Sequence, residues 1–169
     1  MIAFLLLAQA SLTAMEDPAP AADMPSGKWA TVQIEPSFAE TRTEIAIGTL
    51  RYDQQAQQLD YWMRREERKI QGDGLAVRWA DSRTCAAMRP VISAMRHVRA
   101  MQVAPPGFVE SSPPPLDGTL YTLEAPGVFP EGRIANLRIT TNVGTPLAAW
   151  AERLKADMAD CWTTKAPSV

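Results

Sequence analysis

Cys85 and Cys161 are the two cysteines of this 169-residue chain, and each stands at one end of a helical pattern. Cys85 opens the first pattern and Cys161 closes the last. In an exported protein such a pair most often forms one disulfide, while two isolated thiols or a redox-active pair are the alternatives. We therefore predict a Cys85–Cys161 disulfide that ties the start of the first helix to the end of the last. This bond constrains architecture and indicates no activity.

The last helix, Thr145–Trp162, has the clearest local pattern. Gly144 ends the preceding segment, Thr145 can cap the helix, and Pro146 occupies the first helical position, where its missing N–H costs nothing. Apolar side chains recur at helical spacing along one face: Leu147, Trp150, Leu154 and Met158.

The first helix is predicted from Cys85 towards Met101. Its apolar face comprises Cys85, Met88, Ile92, Met95 and either Val98 or Met101. Because proline disrupts a helix interior, the regular helix should begin near 85–88 and hold Pro90 within its first turn or two, the alternative being a kink. The basic side of this helix could lie on an anionic membrane, but we favour a helix that covers a sheet and shows its arginines to water.

Six segments carry strand patterns. Apolar and polar residues alternate at 29–35 and, most cleanly, at 135–143. The segment 43–53 changes parity, which predicts a bulge near Gly48. Further strands are expected at 75–79 and 117–124, and 125–132 reads as a turn rich in proline and glycine.

The segment 54–70 is ambiguous between helix and strand. Its Gln, Glu, Arg and Lys content favours a helix, whereas Leu59, Tyr61 and Met63 alternate. We choose a strand because it completes a continuous antiparallel meander with both neighbours. Its charged end, 64–69, should then be a solvated surface.

Together these patterns predict one α+β domain at residues 28–165. We expect an antiparallel sheet of about six strands with two helices packed on one face, in the order ββββ-α-ββ-α. The length suits a single domain, and 46% hydrophobic with 21% charged residues excludes global disorder. Function is then expected on the opposite sheet face or in the proline-rich segment Val103–Asp117.

The N-terminus resembles an export signal. Residues 2–8 are apolar, and small residues allow cleavage after Ala10 or Ala14, although no Lys or Arg precedes the apolar run. We predict a signal peptide at 1–14, a flexible leader at 15–27, and a secreted or periplasmic protein. An ordinary N-terminal tail is the alternative. No integral membrane segment is expected in the mature chain.

The sequence offers little catalytic chemistry. His97 is the sole histidine, no Gly-x-Ser-x-Gly elbow occurs, and no glycine run could cradle phosphates. The basic residues of the middle third are too interrupted by acidic ones for nucleic-acid binding. We predict no catalytic, cofactor-binding or metal-ligating residues.

The leading functional expectation is therefore a non-catalytic, exported cell-envelope protein that binds a small molecule, a peptide or an envelope component. The alternative is a small secreted hydrolase whose site forms around His97 or around paired carboxylates that meet in the fold. A third interpretation is a structural subunit recognised by a partner through Val103–Asp117.

Overall fold

The computed structural model describes residues 27–98 and 118–168, so the predicted signal peptide, all but the last residue of the leader, and the segment Val103–Asp117 lie outside the described residues. The elements are β1 (Lys28–Pro36), β2 (Thr41–Asp53), β3 (Gln58–Lys69), β4 (Leu75–Asp81), α1 (Met88–Ala94), β5 (Thr119–Val128), β6 (Ile134–Thr141) and α2 (Pro146–Asp157). A short 3₁₀ segment follows each helix, at Met95–His97 and Ala159–Cys161. The predicted order ββββ-α-ββ-α is confirmed.

The six strands form one antiparallel sheet in the order β4-β3-β2-β1-β5-β6. Strands β1 to β4 make the predicted meander, and β5 returns to pair with the free side of β1. Val32 of β1 lies between Ile45 of β2 and Leu123 of β5. The ambiguous segment is a strand, in which Met63 pairs with Ile47.

Both helices pack on one face of the sheet, as predicted. Alternate strand residues such as Val32, Ile45 and Met63 point into a single core shared with the helices. The four residues of the predicted α2 face, Leu147, Trp150, Leu154 and Met158, are all buried there. The other sheet face carries a smaller cluster of Ala46, Trp62 and Trp79.

Helix α2 begins where its sequence signals place it. The Thr145 hydroxyl accepts a hydrogen bond from the amide of Ala148 at 3.3 Å, and Pro146 is the first helical residue.

Helix α1 is shorter than its apolar pattern predicts, since the regular helix ends at Ala94. Pro90 is its third residue, within the first turn, where a missing N–H removes no bond within the helix. Val91 is buried together with Met88 and Ile92, while Met95 is only partly covered.

The predicted irregularity near Gly48 is present as two register shifts that flank it. One lies at Trp29 in β1, opposite Gly48, and the other at Leu50 in β2. Gly48 itself lies against the indole of Trp62, where a Cβ atom would overlap the ring. A glycine is therefore required at position 48 because the β2 backbone and the Trp62 indole lie close together, and not because the chain turns there.

The prediction of a turn at 125–132 is wrong in its first half. Strand β5 continues through Pro126 and Gly127 to Val128. These residues lie beyond the last β1 pair, Thr31–Glu124, and so pair only with β6. A proline is tolerated there because one side of the strand has no partner that needs its amide.

The charged end of β3 is more ordered than a solvated strand end. Arg64 pairs with Glu66 and lies over the Trp79 ring, and Arg65 lies 4.9 Å from the ring centroid of Trp162. These contacts place the guanidinium groups against aromatic rings.

The structure contains the predicted disulfide. Cys85 and Cys161 are bonded with their Cα atoms 5.5 Å apart. The bond joins the turn before α1 to the 3₁₀ segment after α2. Trp150 adds a second link between the helices, because its indole N–H donates to the carbonyl of Val91 at 3.0 Å.

Removal of the disulfide should destabilise the fold strongly. In the chain-entropy model a loop of this length contributes about 4 kcal/mol, a large share of the stability of an ordinary domain. We expect the C85A/C161A double variant to lose about this much in urea denaturation monitored by tryptophan fluorescence. Wild-type protein in reductant is the control and should match the variant to within about 1 kcal/mol.

Gly48→Ala should also destabilise, because the new methyl group overlaps the Trp62 ring. We expect a loss of about 1 to 3 kcal/mol, the usual cost of overpacking. Gly127→Ala is the matched control, since a Cβ there meets Leu137 at an ordinary 3.4 Å. Equal denaturation midpoints for the two variants would contradict the role assigned to Gly48.

Candidate functional site

An open groove of about 890 Å³ lies between the C-terminal end of α1 and the helix-covered sheet face. Its described lining comes from β1, β2, β3, β5, β6, α1 and the following 3₁₀ segment. Its position differs from our expectation of a site on the opposite sheet face.

One wall of the groove is apolar. It is formed by Trp29 of β1, Leu123 of β5 and Leu137 of β6, with Ile92 and Met95 opposite them. Leu123 and Leu137 face the helices because side chains alternate along a strand, and Leu123 pairs with Ile139, two residues from Leu137. Trp29 packs against the same core although it is adjacent to the core-facing Ala30, because the register shift of β1 lies at this residue. Helix α1 ends before it covers this part of the sheet.

The other side of the groove is polar and basic. Arg89 and Ser93 line it from α1, Arg96 from the 3₁₀ segment and Tyr61 from β3. Among the lining residues that the structure describes there is no aspartate or glutamate. The local charge of the groove is therefore positive.

Arg89 anchors α1 to the sheet. Its guanidinium donates to the Asp60 carboxylate at 2.6 Å and to the Ser82 carbonyl at 2.9 Å. Asp60 is 1% exposed and also accepts a bond from Arg51 at 3.1 Å. A buried carboxylate requires such partners, and Asp60 shares its single negative charge between Arg51 and Arg89.

Arg96 has no comparable partner. It is exposed, and its guanidinium bonds only within its own helical turn, to the Ser93 hydroxyl at 3.0 Å and the Ser93 carbonyl at 3.4 Å. Within residues 27–98 and 118–168 it forms no ion pair with a carboxylate. It is thus a cation at the rim whose charge is available.

Two buried donors of groove residues find no hydrogen-bond partner among the described residues. They are the indole N–H of Trp29 and the Nε–H of Arg89, each with less than 1 Å² of exposed surface, so neither is presented to the open groove.

His97 lies in the 3₁₀ segment beside the groove but is absent from its described lining. It is exposed and makes no hydrogen bond or ion pair in the described part of the chain. The structure therefore brings no described carboxylate to His97 as a catalytic partner. Nor does any group of three or more His, Cys, Asp and Glu among the described residues have the geometry of a metal site.

A second cavity, near the start of α2, contains a phenol and a carboxylate in contact. Tyr121 donates to Glu152 at 2.8 Å, and Lys155 donates to the same carboxylate. Burial, and then the bond to Glu152, raise the pKa of Tyr121. Burial alone would raise the pKa of Glu152, but the bonds from Tyr121 and Lys155 lower it overall. Both pKa values move away from neutrality, which is unfavourable for proton transfer near pH 7.

No protein-family model, curated protein or solved structure matches this chain. Separately, none of the described helices is long and apolar enough to cross a membrane.

Sequence reasoning identified the elements that build the groove but not the groove. Trp29, Leu123 and Leu137 belong to three different strands, and only the sheet order brings them together. The sequence signal for this site is Arg96, a basic residue that follows the apolar face of α1. The helical pattern alone predicts that such an arginine faces water.

Asp60→Asn should destabilise the protein by about 2 kcal/mol, because Arg51 and Arg89 lose their shared carboxylate. The cost should stay below that of a fully buried pair since Arg51 is half exposed. Asp73→Asn, at an exposed turn, should change stability by less than about 0.5 kcal/mol. Chemical denaturation of both variants at pH 7 checks this, and equal stabilities would show that Asp60 is not the anchor of α1.

Proposed function

We propose that this protein is an exported, non-catalytic binding protein of the cell envelope, and that the groove beside α1 holds a small molecule with an apolar body. The observation that carries the proposal is the apolar wall beside the end of α1, formed among the described residues by the partly exposed Trp29 and Leu137 together with the largely buried Leu123.

The make-up of the groove supports binding of a small molecule. Its volume of about 890 Å³ falls within the range of small-molecule sites, which combine an apolar lining with a few polar groups. Here Tyr61, Ser93 and Arg96 supply the polar groups. An aromatic wall such as Trp29 contributes a large contact area with little loss of side-chain freedom.

Two features support export. The Cys85–Cys161 bond is of a kind that persists mainly in oxidising compartments. The apolar run at residues 2–8, with small residues at 8 and 10, fits a cleaved signal. We infer a secreted or periplasmic location.

The hydrolase alternative gains no specific support. A catalytic His97 would need a partner that orients it, and its described surroundings provide none. The Tyr121–Glu152 pair has pKa values displaced away from neutrality. A binding role requires neither group.

A neutral fluorescent probe tests the groove directly. We expect N-phenyl-1-naphthylamine to bind with 1:1 stoichiometry and enhanced emission. Ala125→Trp should weaken binding at least about tenfold, because an indole would fill the groove at a small lining residue.

Ala76→Trp is the matched control, since it adds the same indole at an exposed position of β4 outside the groove. It should bind the probe as the wild type does. If the wild type gives no saturable signal, or if both variants bind as well as it does, the groove is not a binding site.

A further inference from the structure

The polar half of the groove has a consistent charge and hydrogen-bonding character. Its described lining holds two arginines and no acidic residue. Asp60 pairs with Arg89 and also with Arg51, so Arg96 is the groove arginine that pairs with no carboxylate of residues 27–98 and 118–168. A cationic ligand would find no carboxylate in the described lining, whereas an anionic one would find the exposed Arg96 guanidinium.

The hydrogen-bonding group beside this charge agrees with it. The exposed Arg96 guanidinium has only N–H donors, so a ligand head that binds it must supply acceptor atoms.

We propose that the groove binds an amphipathic anion, with its apolar body against Trp29, Leu123 and Leu137 and its anionic head at Arg96. The proposal rests on the binding function argued above and adds the class of ligand. The head is a carboxylate or another group with several acceptor oxygens, which a guanidinium binds through charge-assisted hydrogen bonds.

Arg96 is the groove cation that pairs with no carboxylate of the described residues, which favours a ligand with one head group over a polyanion. A phosphate polymer is held by many Lys and Arg contacts, and the two arginines of the described lining do not supply them. The apolar wall would also stay uncovered beneath such a polymer. One charge next to an apolar surface instead matches one head group attached to one apolar body.

Decanoate and 1-decanol form the test pair, because they share an apolar chain and differ in the charge of the head. Each is titrated against the full-length protein loaded with the neutral probe, below its solubility limit. We expect decanoate to displace the probe at about tenfold lower concentration than decanol, and this advantage should shrink as salt is raised.

Arg96→Gln should remove the preference and bring the two ligands to within about threefold. Arg153→Gln is the matched control, because it removes one exposed arginine from α2 and leaves the groove intact. It should keep the tenfold preference. Thermal unfolding of both variants verifies that they are folded.

The outcomes separate the two proposals. If decanoate and decanol compete equally in the wild type, the anionic class is wrong and the apolar groove stands. A preference for decanoate that survives in Arg96→Gln would overturn the assignment of the head group to Arg96. If the probe itself does not bind, the proposed function fails before either ligand is added.

Discussion

A seven-residue helix is not stable by itself in water, so α1 must be held against the sheet by bonds from outside it. Three contacts do this: the Cys85–Cys161 disulfide before its first turn, the Arg89–Asp60 ion pair, and the Trp150 indole on the Val91 carbonyl. They come from α2, from the 3₁₀ segment after it and from β3, and β3 is far from the other two in the chain. Tertiary contacts therefore set the position of α1 over the sheet. The same contacts set the position of the groove beside it.

The groove follows from a mismatch of lengths. Helix α1 extends about 10 Å and α2 about 18 Å, whereas β2 alone extends about 44 Å. Two helices of these lengths do not cover the whole apolar face. The described structure leaves an open part where α1 ends, near Trp29, Leu123 and Leu137. A longer α1 would cover this wall and would remove the site.

Local patterns in the sequence predicted the elements well because each element has its own periodicity. Alternation located β1 and β6, and the Leu147–Met158 face located α2. Local patterns do not show what a distant neighbour decides. The irregularity near Gly48 was predicted, but the Trp62 indole that requires a glycine there was not. The turn predicted at 125–132 was wrong in its first half, where β5 continues through Pro126 beyond its last pair with β1. The groove depends on the lateral order of strands, which periodicity does not contain. The hydrophobic pattern thus predicts which residues face the core. Only the packing of distant elements decides which part of that apolar face remains accessible to solvent.

Arg89 and Arg96 show why sequence spacing could not assign the polar half of the groove. They are seven residues apart on one short helical segment, yet their electrostatic roles differ completely. Asp60, from β3, pairs with Arg89 as well as with Arg51, whereas Arg96 lies in the 3₁₀ segment that follows α1. Arg89 therefore helps to hold α1 against the sheet. Among the described residues Arg96 bonds only to Ser93, so its charge contributes little to stability and is accessible to a ligand. Because the two roles reside in different residues, loss of the Arg96 charge should alter recognition and leave the attachment of α1 intact.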